Sequence, residues 1–133
     1  AADAYGGGMA CIDACVEYAK TREQFGVKIG SFQALKHQLA DMAVELDASR
    51  LLTYRAATLR ESGARFSAES AMAKLHASEM AGRVTDLALQ LHGGYGYARR
   101  LPLERHARDA RIMRIYEGAS EVQRNIIARA LLR

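Results

Sequence analysis

Residues 67–96 read SAESAMAKLHASEMAGRVTDLALQLHGGYG, and the spacing of their apolar side chains decides the fold. Met72, Leu75, Met80, Val84, Leu87 and Leu91 keep to one side of a helix with about 3.6 residues per turn. Ser67 offers an N-cap, and Gly93, Gly94 and Gly96 stop the pattern after His92. The segment therefore predicts one long amphipathic helix, Ser67 to His92, whose apolar face needs other helices to cover it.

The same period continues on both sides. Upstream, Leu35, Leu39, Met42, Leu46, Leu52, Ala56 and Leu59 form a stripe between an N-cap at Ser31 and a stop at Gly63. That helix would be about 45 Å long at about 1.5 Å per residue. Tyr5, Met9, Ile12, Val16 and Ala19 mark a first helix through about Lys20, and TREQFGVKIG then breaks the pattern as a loop. Downstream, Pro102 fits the first turn of a fourth helix reaching about Tyr116. Ser120 and Gln123 form a Ser-x-x-Gln capping box that opens a terminal helix carrying Val122, Ile126, Ile127 and Leu131. Long helices joined by short loops predict an all-α, up-and-down bundle of four long helices plus a short C-terminal helix.

Composition agrees. The chain has 133 residues, half of them apolar, which suits one domain with a single core. There is one proline and no tryptophan, and alanine and leucine abound, which favours helix over sheet. No apolar run approaches the roughly 20 residues needed to cross a bilayer, and no signal-peptide pattern opens the chain. A soluble intracellular protein is expected. The formal charge of +4 comes from interspersed residues of both signs, so charge balance suits an anionic small ligand as well as any other partner and indicates no nucleic-acid surface. Cys11 and Cys15 lie four apart with no second pair to complete a metal site, and read as small packed residues in a reducing compartment. His37, His76, His92 and His106 are spread over different helices without metal-ligand spacing.

Several residues admit a chemical role beside an ordinary one. Glu117, in IYEGASEVQR (residues 115–124), is a carboxylate at a helix break, exposed to whatever docks there, with Gly118 letting backbone approach closely. The helix macrodipole disfavours a carboxylate at that end, and Arg114 is placed to pair with it. Arg22, beside Phe25 and Gly26, could hold a phosphate and an attached ring, or simply cap the first helix. Gly93-Gly94-Tyr95-Gly96 follows a helix rather than a strand, and alone reads as a helix stop that lets two backbones pass closely. Arg99, Arg100, Arg105, Arg108, Arg111 and Arg114 interleave with Glu104 and Asp109, the pattern of a solvated, salt-bridged face.

Taken together, five motifs in order carry a resemblance. They are Arg22-x-x-Phe25-Gly26; Ser31-Phe32-Gln33-Ala34; Gln90-x-x-Gly93-Gly94-x-Gly96-Tyr97; Arg108-Asp109-Ala110-Arg111; and Ile115-Tyr116-Glu117-Gly118 leading into Ser120-Glu121-Val122-Gln123-Arg124. Over essentially the whole chain the sequence resembles the C-terminal helical domain of the acyl-CoA dehydrogenase family. The resemblance implies a flavoenzyme of fatty acid and lipid metabolism that desaturates the Cα–Cβ bond of an acyl-CoA thioester and passes electrons to an electron-transfer flavoprotein. It implies Glu117 as the base that takes the α-proton, with FAD accepting the β-hydrogen. A carboxylate desolvated by a bound acyl chain becomes a stronger base toward a weakly acidic carbon.

The resemblance also implies cofactor contacts at Arg22, Phe25 and Gln33, reaching FAD held mainly by a dimer mate. A second flavin segment would be Gln90, Leu91, His92, Gly93 and Gly94. Beyond the base, Gly118 would lie near the thioester, and Ala119 and Glu121 near FAD. Ala119 stands where the family usually has threonine, which removes one hydroxyl contact. Family members also carry an N-terminal helical domain and a central β-domain, neither of which these residues contain. The resemblance thus reads residues 1–133 as the last domain of a larger dehydrogenase, dimeric or tetrameric, cytoplasmic or in the mitochondrial matrix, and with little activity alone. An acyl-CoA oxidase shares the chemistry, and a non-catalytic helical oligomerisation module is the alternative from another class.

Overall fold

Three long helices carry the architecture: α1 (Ala2–Thr21), α2 (Gln33–Glu61) and α3 (Ser67–His92). The computed structural model describes residues 1–133. Three shorter helices follow: α4 (Gly94–Tyr97), α5 (Leu103–Ile112) and α6 (Ser120–Leu131). The all-α bundle is as expected, but the fourth helix ends at Ile112 rather than near Tyr116, and residues 113–119 form a turn. The expected loop after α1 holds a small hairpin in which Glu23–Gln24 pairs antiparallel with Val27–Lys28. Phe25 and Gly26 make its turn at φ 55° and 79°, the twist that two-residue hairpins favour.

α3 lies at the centre and packs against α1, α2, α5 and α6. One face of it was expected to be apolar. Instead it is buried on several sides, through Ala71, Ala73, Ala77, Met80, Ala81, Val84 and Ala88, because alanine lets four neighbours approach one helix. The main core joins Cys11, Ile12 and Cys15 of α1, Met42 and Leu46 of α2, Met80, Val84 and Ala88 of α3, and Leu103 of α5. A second cluster of Ala4, Ala77, Ala81 and Ala110 seals α1 and α5 onto α3. At Gly8 a Cβ would meet Leu46 Cδ1 and Met80 Sδ at 3.1 Å, so the crossing of the three long helices is set by a missing side chain. Small residues turn the buried face of α1, and Met9, expected inside, is exposed. No helix is long and apolar enough to cross a membrane.

The N-caps differ from those expected at Ser31, Ser67 and Ser120. Phe32, Phe66 and Ala119 hold the N-cap positions of α2, α3 and α6, and none of the three ends has a side-chain cap. Ser31 closes a 3-10 turn by donating to the Lys28 carbonyl at 2.7 Å. The Ser120–Gln123 capping box does not form: Ser120 Oγ donates instead to Glu79 Oε1 at 2.7 Å. A carboxylate across the helix interface is a stronger acceptor for a hydroxyl, and a hydroxyl hydrogen directed there turns the side chain away from the helix amides.

Candidate functional site

Two features stand out, one beside the N-terminal half of α3 and one at its C-terminal end. The first is the turn around Glu117. Its backbone has φ 52° at Glu117 and 92° at Gly118, two consecutive left-handed residues. Ile115 and Tyr116 close the end of α5 by donating to the Ile112 carbonyl, and the Ser120 amide donates to the Arg114 carbonyl at 3.2 Å. The amides of Glu117, Gly118 and Ala119 donate to no backbone carbonyl, so three successive N–H groups remain to meet an oxygen. A Cβ at Gly118 would fall 2.5 Å from Gln123 Nε2.

What holds the turn was not legible in its own sequence. Gln123 Nε2 donates to the Gly118 carbonyl at 3.0 Å and to that of Glu117 at 3.4 Å. Lys74 Nζ of α3 donates to the same Gly118 carbonyl at 2.7 Å. Arg114 was expected to pair with Glu117, but its Nη2 lies 2.9 Å from Glu79 Oε2, while Arg124 reaches Glu79 Oε1 at 3.9 Å. Partial burial acts to raise the Glu79 carboxyl, but the Ser120 hydroxyl and the two guanidiniums outweigh it and hold the group below the usual carboxylate range. With Arg114 so engaged, Glu117 stands exposed without an arginine partner. Tyr116, the residue before Glu117, faces the same space as Asp3 and Ala4, which places the turn beside the first residues of α1. There a cleft of about 730 Å³, lined by Asp3, Gly6, Gly7, His106, Met113 and Tyr116 among others, opens between α1, α3 and α5.

The second feature is a cleft of about 650 Å³ at the far end of α3. It gathers Arg22 with Gln90, Leu91, His92, Gly93 and Gly94, all expected contacts, and adds Tyr18, Tyr95 and Arg100. Two arginines and no carboxylate line it. The Arg22 guanidinium lies 5.5 Å over the Tyr95 ring, so its aromatic neighbour is Tyr95 rather than Phe25. His92 is buried, stacks on Tyr18 at 4.3 Å, and donates from Nδ1 to the Ala88 carbonyl at 2.9 Å. Gly93 bends the chain out of α3 at φ 58°, and a Cβ at Gly93 or Gly94 would meet open space. The close backbone approach expected of the glycine cluster occurs at Gly96, where a Cβ would lie 2.9 Å from the Leu89 carbonyl oxygen.

Phe25 and Gln33 do not line this cleft. Phe25 is 92% exposed on the hairpin tip, edge-on to Phe32 at 6.3 Å, and Gln33 is exposed at the start of α2. Ala119 and Glu121 stay with the Glu117 turn, Ala119 half-buried and Glu121 exposed. Lys74 and His92 are about 27 Å apart along α3 at about 1.5 Å per residue. One chain therefore holds the two features well apart.

The sequence model of the acyl-CoA dehydrogenase C-terminal domain matches residues 1–132. The chain belongs to the acyl-CoA dehydrogenase family. It is 49% identical over 133 residues to the mitochondrial short-chain specific acyl-CoA dehydrogenase of Bos taurus, across 100% of this chain and 32% of that protein. The butyryl-CoA dehydrogenase of Megasphaera elsdenii superposes with a TM-score of 0.96 at 45% identity, covering 98% of this chain and 34% of that one. A chain in the solved structure described as the electron transferring flavoprotein of Acidaminococcus fermentans matches with the same TM-score at 48% identity, again covering 98% of this chain and 34% of its own length. This acyl-CoA dehydrogenase domain thus spans about a third of the length of the relatives it matches.

Proposed function

We propose that residues 1–133 are the C-terminal domain of an FAD-dependent acyl-CoA dehydrogenase, in which Glu117 removes the α-proton of an acyl-CoA thioester. The observation that carries this reading is the turn itself: an exposed carboxylate, without an arginine partner, on a left-handed turn whose three successive amides donate to no backbone carbonyl. A thioester oxygen near those amides would gain negative charge as the α-proton leaves, and N–H dipoles directed at it would stabilise that charge without reorganising. Glu117 would then hold the proton on its carboxylate.

The second cleft suits the cofactor. Arg22 and Arg100 offer positive charge with no competing carboxylate, Tyr18 and Tyr95 offer ring faces, and Gly93 and Gly94 leave room for a close approach. When bound, FAD supplies the acceptor for the β-hydrogen and its electron pair. Arg22, Gln90, Leu91, His92, Gly93 and Gly94 would hold it here, with Ala119 and Glu121 contacting it from the Glu117 turn. Because the cleft and the turn lie far apart along α3, each flavin would be completed by two copies of the chain. Phe25 and Gln33, exposed beyond the cleft, would reach the neighbour's flavin. An electron-transfer flavoprotein would take the electrons onward, and the N-terminal helical and central β-domains of the whole protein would wall the acyl pocket. Oligomerisation and separate domains fit one feature further: Val44, Leu51 and Tyr54 leave an apolar strip of α2 exposed.

The test is Glu117→Gln in the full-length protein, loaded with FAD and mixed with acyl-CoA in a stopped-flow instrument. Removal of the base is expected to slow flavin bleaching by about 10² to 10⁴. Bleaching at the parental rate would end the assignment of Glu117.

A further inference from the structure

The Lys74 ammonium is bound to a neutral group. It takes part in none of the ion pairs of the chain, and its one hydrogen bond, at 2.7 Å, goes to the carbonyl of Gly118, the residue after Glu117 and 44 positions away. A charged donor makes that bond short and strong. Gln123 Nε2 donates to the same oxygen, so two donors from two helices fix the plane of the Gly118–Ala119 peptide. Glu117 sits at φ 52°, a conformation that a side-chain-bearing residue leaves unless its surroundings hold it.

We propose that Lys74 is a positioning residue for Glu117: its ammonium clamps the Gly118 carbonyl and thereby fixes the direction in which the preceding carboxylate projects. The inference rests on the reading of Glu117 as the base. Gln123 is carried on α6, which starts two residues after Gly118, whereas Lys74 is carried on the central helix α3. Lys74 is therefore the contact that ties the Gly118 peptide itself to α3, while Glu79 of the same helix holds the flanks of the turn at Arg114 and Ser120. A displacement of about 1 Å at a reacting group costs on the order of 10²-fold in rate, so loss of this tie acts on the chemical step more than on binding.

The experiment uses the full-length, FAD-loaded enzyme carrying Lys74→Met, Lys74→Arg or Glu117→Gln. Lys74→Met is expected to lower the rate of flavin reduction at saturating acyl-CoA by about 10- to 100-fold, with acyl-CoA affinity changed by less than about threefold. Lys74→Arg, which keeps a charged donor of similar reach, is expected to recover most of the rate. A Lys74→Met enzyme reducing its flavin at the parental rate would overturn the proposal, as would a loss confined to acyl-CoA affinity. Should Lys74→Met lose FAD or the folded state, Lys74→Gln takes its place under the same criteria. Loss in both overturns the proposal, since a positioning role leaves fold and cofactor site intact. Glu117→Gln reads the base separately. If that variant keeps full activity, the base reading falls and the role of Lys74 falls with it. If it is inactive while Lys74→Met is unaffected, only Lys74 is wrongly assigned.

Discussion

At Gly118 three constraints meet: a positive φ, a carbonyl held by Lys74 and Gln123, and no room for a Cβ beside Gln123. Gly118→Ala forces an L side chain into left-handed backbone, which costs about 1–2 kcal/mol, and displaces an amide whose hydrogen bond is worth about 1 kcal/mol more. A fall of about 2–3 kcal/mol in urea unfolding stability is expected from the two terms. The paired cysteines give a second residue-scale prediction. Burial pushes the Cys11 thiol up to about 11 and, together with Cys11, the Cys15 thiol up to about 12. The unfolded thiols titrate at about 8.5, so the folded state binds more protons above that pH. Stability owed to these thiols is complete below about 8.5 and is lost as pH rises through the folded values. Urea midpoints should therefore decline on the alkaline side, and a Cys11→Ala, Cys15→Ala variant should show a shallower decline. Both cysteines were readable as packed residues from their spacing and company. The partners of Gly118 were not, because neither donor lies within its local turn.

At the scale of elements, α3 decides the architecture. Met80 is fully buried between α1 and α2, and Met80→Ala should cost about 2–5 kcal/mol, measured by thermal or urea unfolding, because the surrounding helices cannot collapse into the space. Glu79 joins α3 to the Glu117 turn and α6 through Arg114, Ser120 and Arg124. Its carboxyl is depressed in the folded state, so its contribution is present above the unfolded carboxylate value of about 4.3 and is lost as pH falls through the folded value. Glu79→Gln should flatten the acid limb of the stability profile at a cost of about 1 kcal/mol at neutral pH. The long helices and their stops at Gly63 and Gly93 were legible because period and glycine act locally. The N-caps fall one residue from the serines that local spacing points to, since Ser31 and Ser120 donate their hydroxyls to the Lys28 carbonyl and Glu79 and accept from no helix amide. The one-faced pattern expected of α3 failed for a related reason: alanine serves solvent and core equally in sequence, and four neighbours chose the core.

For the whole molecule, the exposed strip of Val44, Leu51 and Tyr54 on α2 and the exposed Leu131 and Leu132 at the end of α6 leave apolar surface uncovered. Sedimentation of the full-length protein should find a dimer or larger, and Val44→Glu with Leu51→Glu should weaken that assembly without unfolding the bundle, because both side chains already face outward. A parental protein that sediments as a monomer would remove the argument that two copies complete each flavin site. The order of helices, the glycine stops and the ordered motifs of Arg22, Gln90–Gly94 and Glu117 were all present in the linear chain. Each depends on neighbours within a few residues, where periodicity and backbone freedom act. Which groups meet was settled by folding. Arg114 passed over Glu117 for Glu79, Arg22 took Tyr95 in place of Phe25, and Lys74 crossed from α3 to Gly118. Those choices belong to packing, since α3 brings together residues far apart in the chain, and a charge pairs with the best partner within reach in space rather than in sequence.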